Sequence, residues 1–417
     1  MADRFRSFDG LLDAVADRSF DRPPAMVCNA HITALGVARA LPDGVPVIAL
    51  DRSSRGVAPW SDAVALAGRV TAPLDDAAGF RADVAALAAR IDGDPVAFPC
   101  MDEWVHALAP GVDGVRLPFA ADRIDAVLDK VALYRVADDC DVPYPETYRI
   151  RETVPDPGAP ERTPAIRSAD AAADALGFPL VVKPALKRRF EAAFGTIVIE
   201  VGDREEYAAV VADAREAGVR CMAQERIPPA GADRSFVSYV APDGDVTGVV
   251  GAPTRYPPAY GTSCLVERVD DPDVEERARA VLDETGYHGI SEAEFVYDEN
   301  RGEHVLLDVN TRPWKWIGLP VAAGANLPAA AYAEAVGAAY DPGPVRDATW
   351  VYLRDYLALL ASGDVEGFSR ERWASLASGA FVDDPGFATA VYDPADPGPV
   401  ARLLATEFSD RQYYCSC

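Results

Sequence analysis

Asp308, Asn310 and Arg312 occupy every second position of the run Leu306-Leu307-Asp308-Val309-Asn310-Thr311-Arg312. On a strand, side chains alternate between faces, so a carboxylate, an amide and a guanidinium share one side, with Val305, Leu307 and Val309 on the other. Such a face offers oxygen donors for a hard cation next to a positive group for phosphate. Residues 290–297 alternate in the same way, with Glu292 and Glu294 facing one side and Ala293, Phe295 and Tyr297 the other. Between the two runs, Glu299-Asn300-Arg301-Gly302-Glu303 has the composition of a turn. A five-residue hairpin loop there sets Glu294 opposite Asp308 and Glu292 opposite Asn310. Three carboxylates and an amide then converge, and their mutual repulsion calls for a cation, with magnesium the obvious candidate.

The elements that must carry these residues fall in a definite order. Between residues 25 and 118, apolar strand-like runs (25–28, 45–50, 95–98) alternate with helical stretches at 29–41 and 82–91, the pattern of a βαβ-type open sheet. The stretch after the first strand has no G-x-G-x-x-G, which leaves a dinucleotide site there poorly supported. A helix over 124–140 precedes the proline-set boundary Val142-Pro143-Tyr144-Pro145. Ser168 then caps a helix that Gly177 stops. Strands at 180–183 and 196–201, a helix at 205–217 and a strand at 220–227 make a small α+β lobe, and a larger antiparallel unit runs from 235 to 312. From about residue 342 the chain reads as a mostly helical tail.

Composition narrows the partners. The formal net charge of −26 over 417 residues argues against nucleic acid and anionic membrane as partners. It predicts a salt-adapted, halophilic surface. No apolar segment has the length of a signal core or a membrane span, and seven cysteines, mostly isolated in apolar runs, read as reduced thiols of a cytoplasmic protein. Cys415 and Cys417 form a terminal C-x-C with no histidine near it. Only Lys130, Lys183, Lys187 and Lys315 among the forty basic residues are lysine, so a compact ammonium is placed at few positions.

In this order the chain resembles the ATP-grasp superfamily, and within it the carboxylate–amine ligases of the D-aspartate ligase-like group, with D-alanine:D-alanine ligase more distant. The resemblance covers about residues 25–340. It implies an α/β N-terminal domain (1–118), then an α+β ATP-grasp fold (119–341) whose small lid lobe (about 165–226) and larger antiparallel lobe (about 227–341) clamp ATP, then the extension 342–417. Asp129-Lys130 and Val182-Lys183-Pro184 match the family's two phosphate-binding lysines. Gln224, Glu225 and Ile227 match the hinge strand that reads adenine and ribose, with Asp233 as a further contact. Glu294, Asp308 and Asn310 match the magnesium ligands. Arg255 stands where the family has a basic residue facing the γ-phosphate, and Arg312 matches a phosphate or acyl-phosphate contact. Two departures stand out. Asp308 replaces the usual glutamate and is one methylene shorter, and the lid loop 185–195 carries Lys187-Arg188-Arg189 in place of a glycine-rich phosphate cradle.

The resemblance implies an ATP-dependent ligase that needs one or two Mg2+ ions, with Mn2+ as a substitute, and joins a small-molecule carboxylate to an amine through an acyl phosphate. A homodimer is compatible with it. The competing readings are a non-catalytic nucleotide-binding protein, marked by the shortened Asp308 and the missing glycines, and an ATP-grasp enzyme with a different acceptor reaction. Pro313-Trp314-Lys315-Trp316 would border the acceptor site, its indoles forming either an aromatic wall for the amine or packing. No P-loop, H-E-x-x-H or G-x-S-x-G motif is present, and His31, His106, His288 and His304 show no nucleophile–base or zinc spacing.

Overall fold

The computed structural model describes residues 4–153, 164–185, 187–258, 261–363 and 365–407, without the side chains of 187–189, 192 and 407. Leu186, Cys415 and Cys417 lie outside the described residues, as do the side chains of Lys187, Arg188 and Arg189. Three sheets carry the chain.

The first is parallel, in the order β3-β2-β1-β4, from β1 (Ala25–Cys28), β2 (Val47–Asp51), β3 (Leu66–Arg69) and β4 (Val96–Pro99). Helices cover both faces, so β1, β2 and β4 are buried along their whole length and read as continuous apolar runs. Strand order reverses between β1 and β4, which opens a crevice at their carboxyl ends. The helix Asp102–Leu108 starts at that crevice.

The residues expected to form one helix over 124–140 form two, Ile124–Leu128 and Lys130–Asp139. Asp129 leaves the helical region (ψ 110°) and caps the second helix, its carboxylate accepting from the Val131 amide at 2.9 Å. The break sets Lys130 at the first helical position. The lid sheet follows, in the order β6-β5-β9-β7-β8, from β5 (Thr147–Ile150), β6 (Ile166–Arg167), β7 (Leu180–Pro184), β8 (Ile199–Val201) and β9 (Cys221–Glu225). Ser168 caps the helix Ala169–Leu176 and Gly177, at φ +73°, ends it. The expected lid loop is instead the helix Lys187–Phe194. Those eight residues include no glycine or proline, and Phe190 and Phe194, one turn apart, meet at 4.5 Å with their rings tilted by 33° over the lid core.

The third sheet has the order β14-β13-β10-β11-β12-β15-β16. Its members are β10 (Arg234–Val240), β11 (Val246–Tyr256), β12 (Thr262–Val269), β13 (Gly289–Asp298), β14 (Glu303–Asn310), β15 (Thr349–Val351) and β16 (Phe387–Thr389). The last two come from the C-terminal extension, which thus adds two strands as well as helices. One face, with Phe236, Ala293, Phe295, Leu306 and Val309, packs on the helix Pro272–Thr285. The other, with Val237, Val249, Val266 and Ile290, packs on Trp314, Trp316 and the N-terminal domain. At Gly251 the packing is tight: a Cβ would stand 3.0 Å from the Trp316 ring and from Val266. Among the described residues no helix is long and apolar enough to cross a membrane.

Candidate nucleotide and metal site

The β13–β14 hairpin pairs Glu294 with Asp308 and Glu292 with Asn310, as the alternation predicts. The route differs from the expected five-residue loop. Asp298 pairs with Glu303, so the turn holds four residues, and the missing one reappears as a bulge at Leu307. The bulge breaks the expected alternation: Leu306 and Val309 both enter the core. It also frees the Leu307 carbonyl, which accepts from the Tyr134 hydroxyl at 3.1 Å and from Lys130 Nζ at 3.5 Å.

Lys130 Nζ lies 2.6 Å from Asp308 Oδ1, both side chains buried, one at a helix start and the other on the far sheet. The Gln224 amide donates to Tyr134 at 2.9 Å and to Thr147 at 2.8 Å, which ties the lid strands to the helix that carries Lys130. The lid end of β7 meets the same place. The Lys130 amide donates to the Ala185 carbonyl at 3.2 Å, two residues beyond Lys183, and Lys183 pairs with Met222.

Period two carries the same sheet face from Glu294 through Ser235 and Gly251 to Arg255. Arg255 reaches Glu294 at 3.5 Å and Asp233 at 3.5 Å. Burial opposes the charge on Arg255, but Glu294 and Asp233 outweigh it and raise its pKa. Burial likewise pushes the Asp233 carboxyl up, against the pull of Arg255. Asn310 turns its amide nitrogen to Glu292 at 3.1 Å and Glu294 at 2.8 Å. Burial, with Glu294 beside it, pushes Glu292 up to about 8.

Among the described residues no three histidine, cysteine or acidic side chains stand close enough to hold a metal as they lie. In this arrangement the Lys130 ammonium faces Asp308, and the Asn310 amide nitrogen donates to Glu292 and Glu294. The donor set still has the chemistry of a hard-cation site, since Glu294, Asp308 and an Asn310 turned by half a rotation all present oxygen.

Arg312 is buried and donates to Asp102 at 2.5 Å, joining β14 to the crevice of the N-terminal domain. Glu225 accepts from the Glu146 amide at 2.6 Å and from Arg301 at 2.5 Å, so β9 is tied to the tip of the β13–β14 hairpin. Ile227, just beyond β9, is partly buried. Trp314 and Trp316, at 1% and 3% exposure, meet edge to face at 5.2 Å in the core, so of the two roles open to them the structure shows packing. Asp102 and Tyr134 were not among the expected contacts, and neither had a local sequence signal; Glu292 was expected in the converging acidic patch, though not among the magnesium ligands that the resemblance implies.

These lobes and this patch define an ATP-grasp fold. The chain is 26% identical over 200 residues to D-aspartate ligase of Enterococcus faecium (strain Aus0004), a match that covers 45% of this chain and 45% of that protein. It therefore spans under half the length of that curated relative. Among solved structures it resembles N5-carboxyaminoimidazole synthetase from Staphylococcus aureus complexed with ADP (TM-score 0.59, 12% identity, 80% of this chain and 82% of that one). It also resembles the biotin carboxylase domain dimer of Hydrogenobacter thermophilus 2-oxoglutarate carboxylase in complex with MgADP, ADP and bicarbonate (TM-score 0.58, 14% identity, 78% and 72%). No family model matches the chain.

Proposed function

We propose that this protein is an ATP-dependent carboxylate–amine ligase that forms an amide through an acyl phosphate. The carrying observation is the convergence of Lys130, Arg255, Glu294, Asp308 and Asn310, from segments up to 180 positions apart, on one buried face beneath the lid of an ATP-grasp fold. In this reading Lys130 and Lys183 hold phosphates, and Gln224, Glu225, Ile227 and Asp233 border the nucleoside. Glu294, Asp308 and Asn310 would hold one or two Mg2+ ions, for which Mn2+ could substitute, and a bound ion would neutralise charge on the phosphates. With Asp308 so engaged, the Lys130 ammonium would be free to turn from it to the phosphates. Arg255 and Arg312 steady the phosphoryl group as it moves to the substrate carboxylate and leaves as phosphate when the amine attacks.

Residues 1–118, 119–341 and 342–417 act as the acceptor-facing domain, the clamp and an extension. The crevice where Asp102 meets Arg312 admits the second substrate. The likeness to D-aspartate ligase makes an aspartate the first carboxylate to test, in a salt-adapted cytoplasmic enzyme. ADP release from Mg-ATP, measured with pooled amino acids and amines and with products identified by mass spectrometry, tests the reading. Nucleotide binding with no ADP release for any pair would favour a non-catalytic nucleotide-binding protein.

A further inference from the structure

Lys315, unlike Lys130 and Lys183, stands outside the proposed phosphate site. It is 4% exposed, in a chain that otherwise uses arginine for most positive charge. Its ammonium donates to Thr262 Oγ1 at 2.6 Å, lies 3.5 Å from Asp355 Oδ2 and sits 5.0 Å over the Tyr352 ring. These partners belong to different parts of the molecule. Lys315 follows Arg312 by three residues, Thr262 opens β12 at the tip of the β11–β12 hairpin, and Tyr352 and Asp355 belong to the C-terminal extension, the latter in the helix Leu353–Ser362.

The hairpin tip links this tie to the site. Thr262 pairs with Tyr256, and Arg255 pairs with Ser263. Thr254 pairs with Leu265, so Cys264 is the extra residue of a bulge, and its thiol meets the Thr254 carbonyl at 3.4 Å. Bulges re-aim the side chains beside them. Arg255, next to this one, is the guanidinium that reaches Glu294 and Asp233. A shift of Thr262 therefore moves the strand end that aims Arg255.

We propose that Lys315, with Asp355 as its counter-charge, is a positioning residue that fastens the C-terminal extension to the hairpin end bearing Arg255, making the extension part of the catalytic assembly. The fastening itself does not depend on the ligase reading; only the substrate that Arg255 serves does. The charged and titratable groups around it are Asp355, Arg354 (3.5 Å from Asp355), the Cys264 thiol and the Tyr352 phenol. Burial pulls the Lys315 ammonium down to about 8, with Asp355 holding it up.

The test uses the full chain labelled with 13C at lysine Cε, whose four lysines give a countable spectrum. One resonance should titrate near 8, vanish in Lys315→Met and move to lower pH in Asp355→Asn. Amide exchange at fixed pH should rise about tenfold over residues 252–258 and 261–265 in both variants, while residues 289–310 keep wild-type protection. With Mg-ATP and D-aspartate, both variants should lower kcat about tenfold and leave KM for ATP within about twofold of wild type, because Arg255 acts on the moving phosphoryl group. Unchanged exchange over 252–258 and 261–265, or a raised KM for ATP with kcat unchanged, would overturn the proposal. Should Lys315→Met not fold, the near-isosteric Asp355→Asn carries the same readouts. If wild type releases no ADP with any substrate, the ligase reading fails, and the exchange and titration results still decide this one.

Discussion

Replacing Lys130 with methionine removes an ammonium 2.6 Å from Asp308 while keeping most of the side-chain volume. The two side chains are 5% and 10% exposed, so solvent can do little to compensate. At an effective dielectric of about 20, a pair of unit charges this close attracts by roughly 6 kcal/mol, part of which is offset by desolvation of both groups. Loss of one partner from a buried pair costs about 3–5 kcal/mol. Lys130→Met should fall in that range, because Asp308 then faces Glu294 across the hairpin without its ammonium. Asp308→Asn on the same background should recover about 2–3 kcal/mol, since the stranded charge is gone. If the patch accepts a divalent ion, millimolar Mg2+ should restore stability to Lys130→Met but not to the double variant. Urea unfolding of the four proteins followed by tryptophan fluorescence, in Mg2+ and in chelator, measures each quantity. A Lys130→Met protein within about 1 kcal/mol of wild type, or an additive cycle, would refute the role assigned to this pair.

Lys183→Arg should abolish most ADP release, because a planar fork cannot replace a compact ammonium among phosphate oxygens, and wild-type rates in that variant would make Lys183 ordinary surface. The net charge of −26 predicts a melting temperature that rises from dilute buffer to molar potassium chloride as self-repulsion is screened; an unchanged value would remove the salt-adapted reading. Asp396 clamps the C-terminal segment to the N-terminal domain, accepting from Arg39 at 2.8 Å, Ser61 at 2.5 Å and the Asp62 amide at 3.1 Å. Burial raises its carboxyl, but Ser61, Arg39 and Asp62 outweigh that and lower it. The unfolded chain therefore takes up the proton first. This stability is present above about pH 4 and is lost as pH falls through the lower folded value. Asp396→Asn should unfold more easily at pH 7 and show a shallower loss in acid; a parallel pH profile would show that the clamp contributes nothing.

The acidic patch was legible because strand periodicity is strict: Glu292, Glu294, Asp308 and Asn310 could share a face only in one phase. The loop length was not, since a four-residue turn with a bulge at Leu307 and a five-residue turn without one give the same pairing at the acidic end. Composition favours a helix at 187–194, yet the expectation of a loop there came from the family's glycine-rich cradle. The break at Asp129 was hidden because residues 124–128 and 130–139 are both helical in pattern, and an Asp between them marks a cap only when its backbone leaves the helix. Long-range ties such as Lys130 to Asp308, Arg312 to Asp102 and Lys315 to Asp355 leave no mark in local sequence. What the sequence does show of Lys130, Lys183 and Lys315 is the rarity of their type.

The most direct test of the ligase account follows one oxygen atom. D-aspartate, or whichever carboxylate supports ADP release, is supplied with oxygen-18 in its carboxyl groups together with Mg-ATP and the amine, and the released phosphate is analysed by mass spectrometry. Attack of the carboxylate on the γ-phosphate, followed by expulsion of phosphate by the amine, requires each phosphate formed in amide synthesis to carry one oxygen-18 atom. Phosphate that contains only oxygen-16, with amide and ADP both formed, would contradict the acyl-phosphate route and with it the roles given to Arg255 and Arg312.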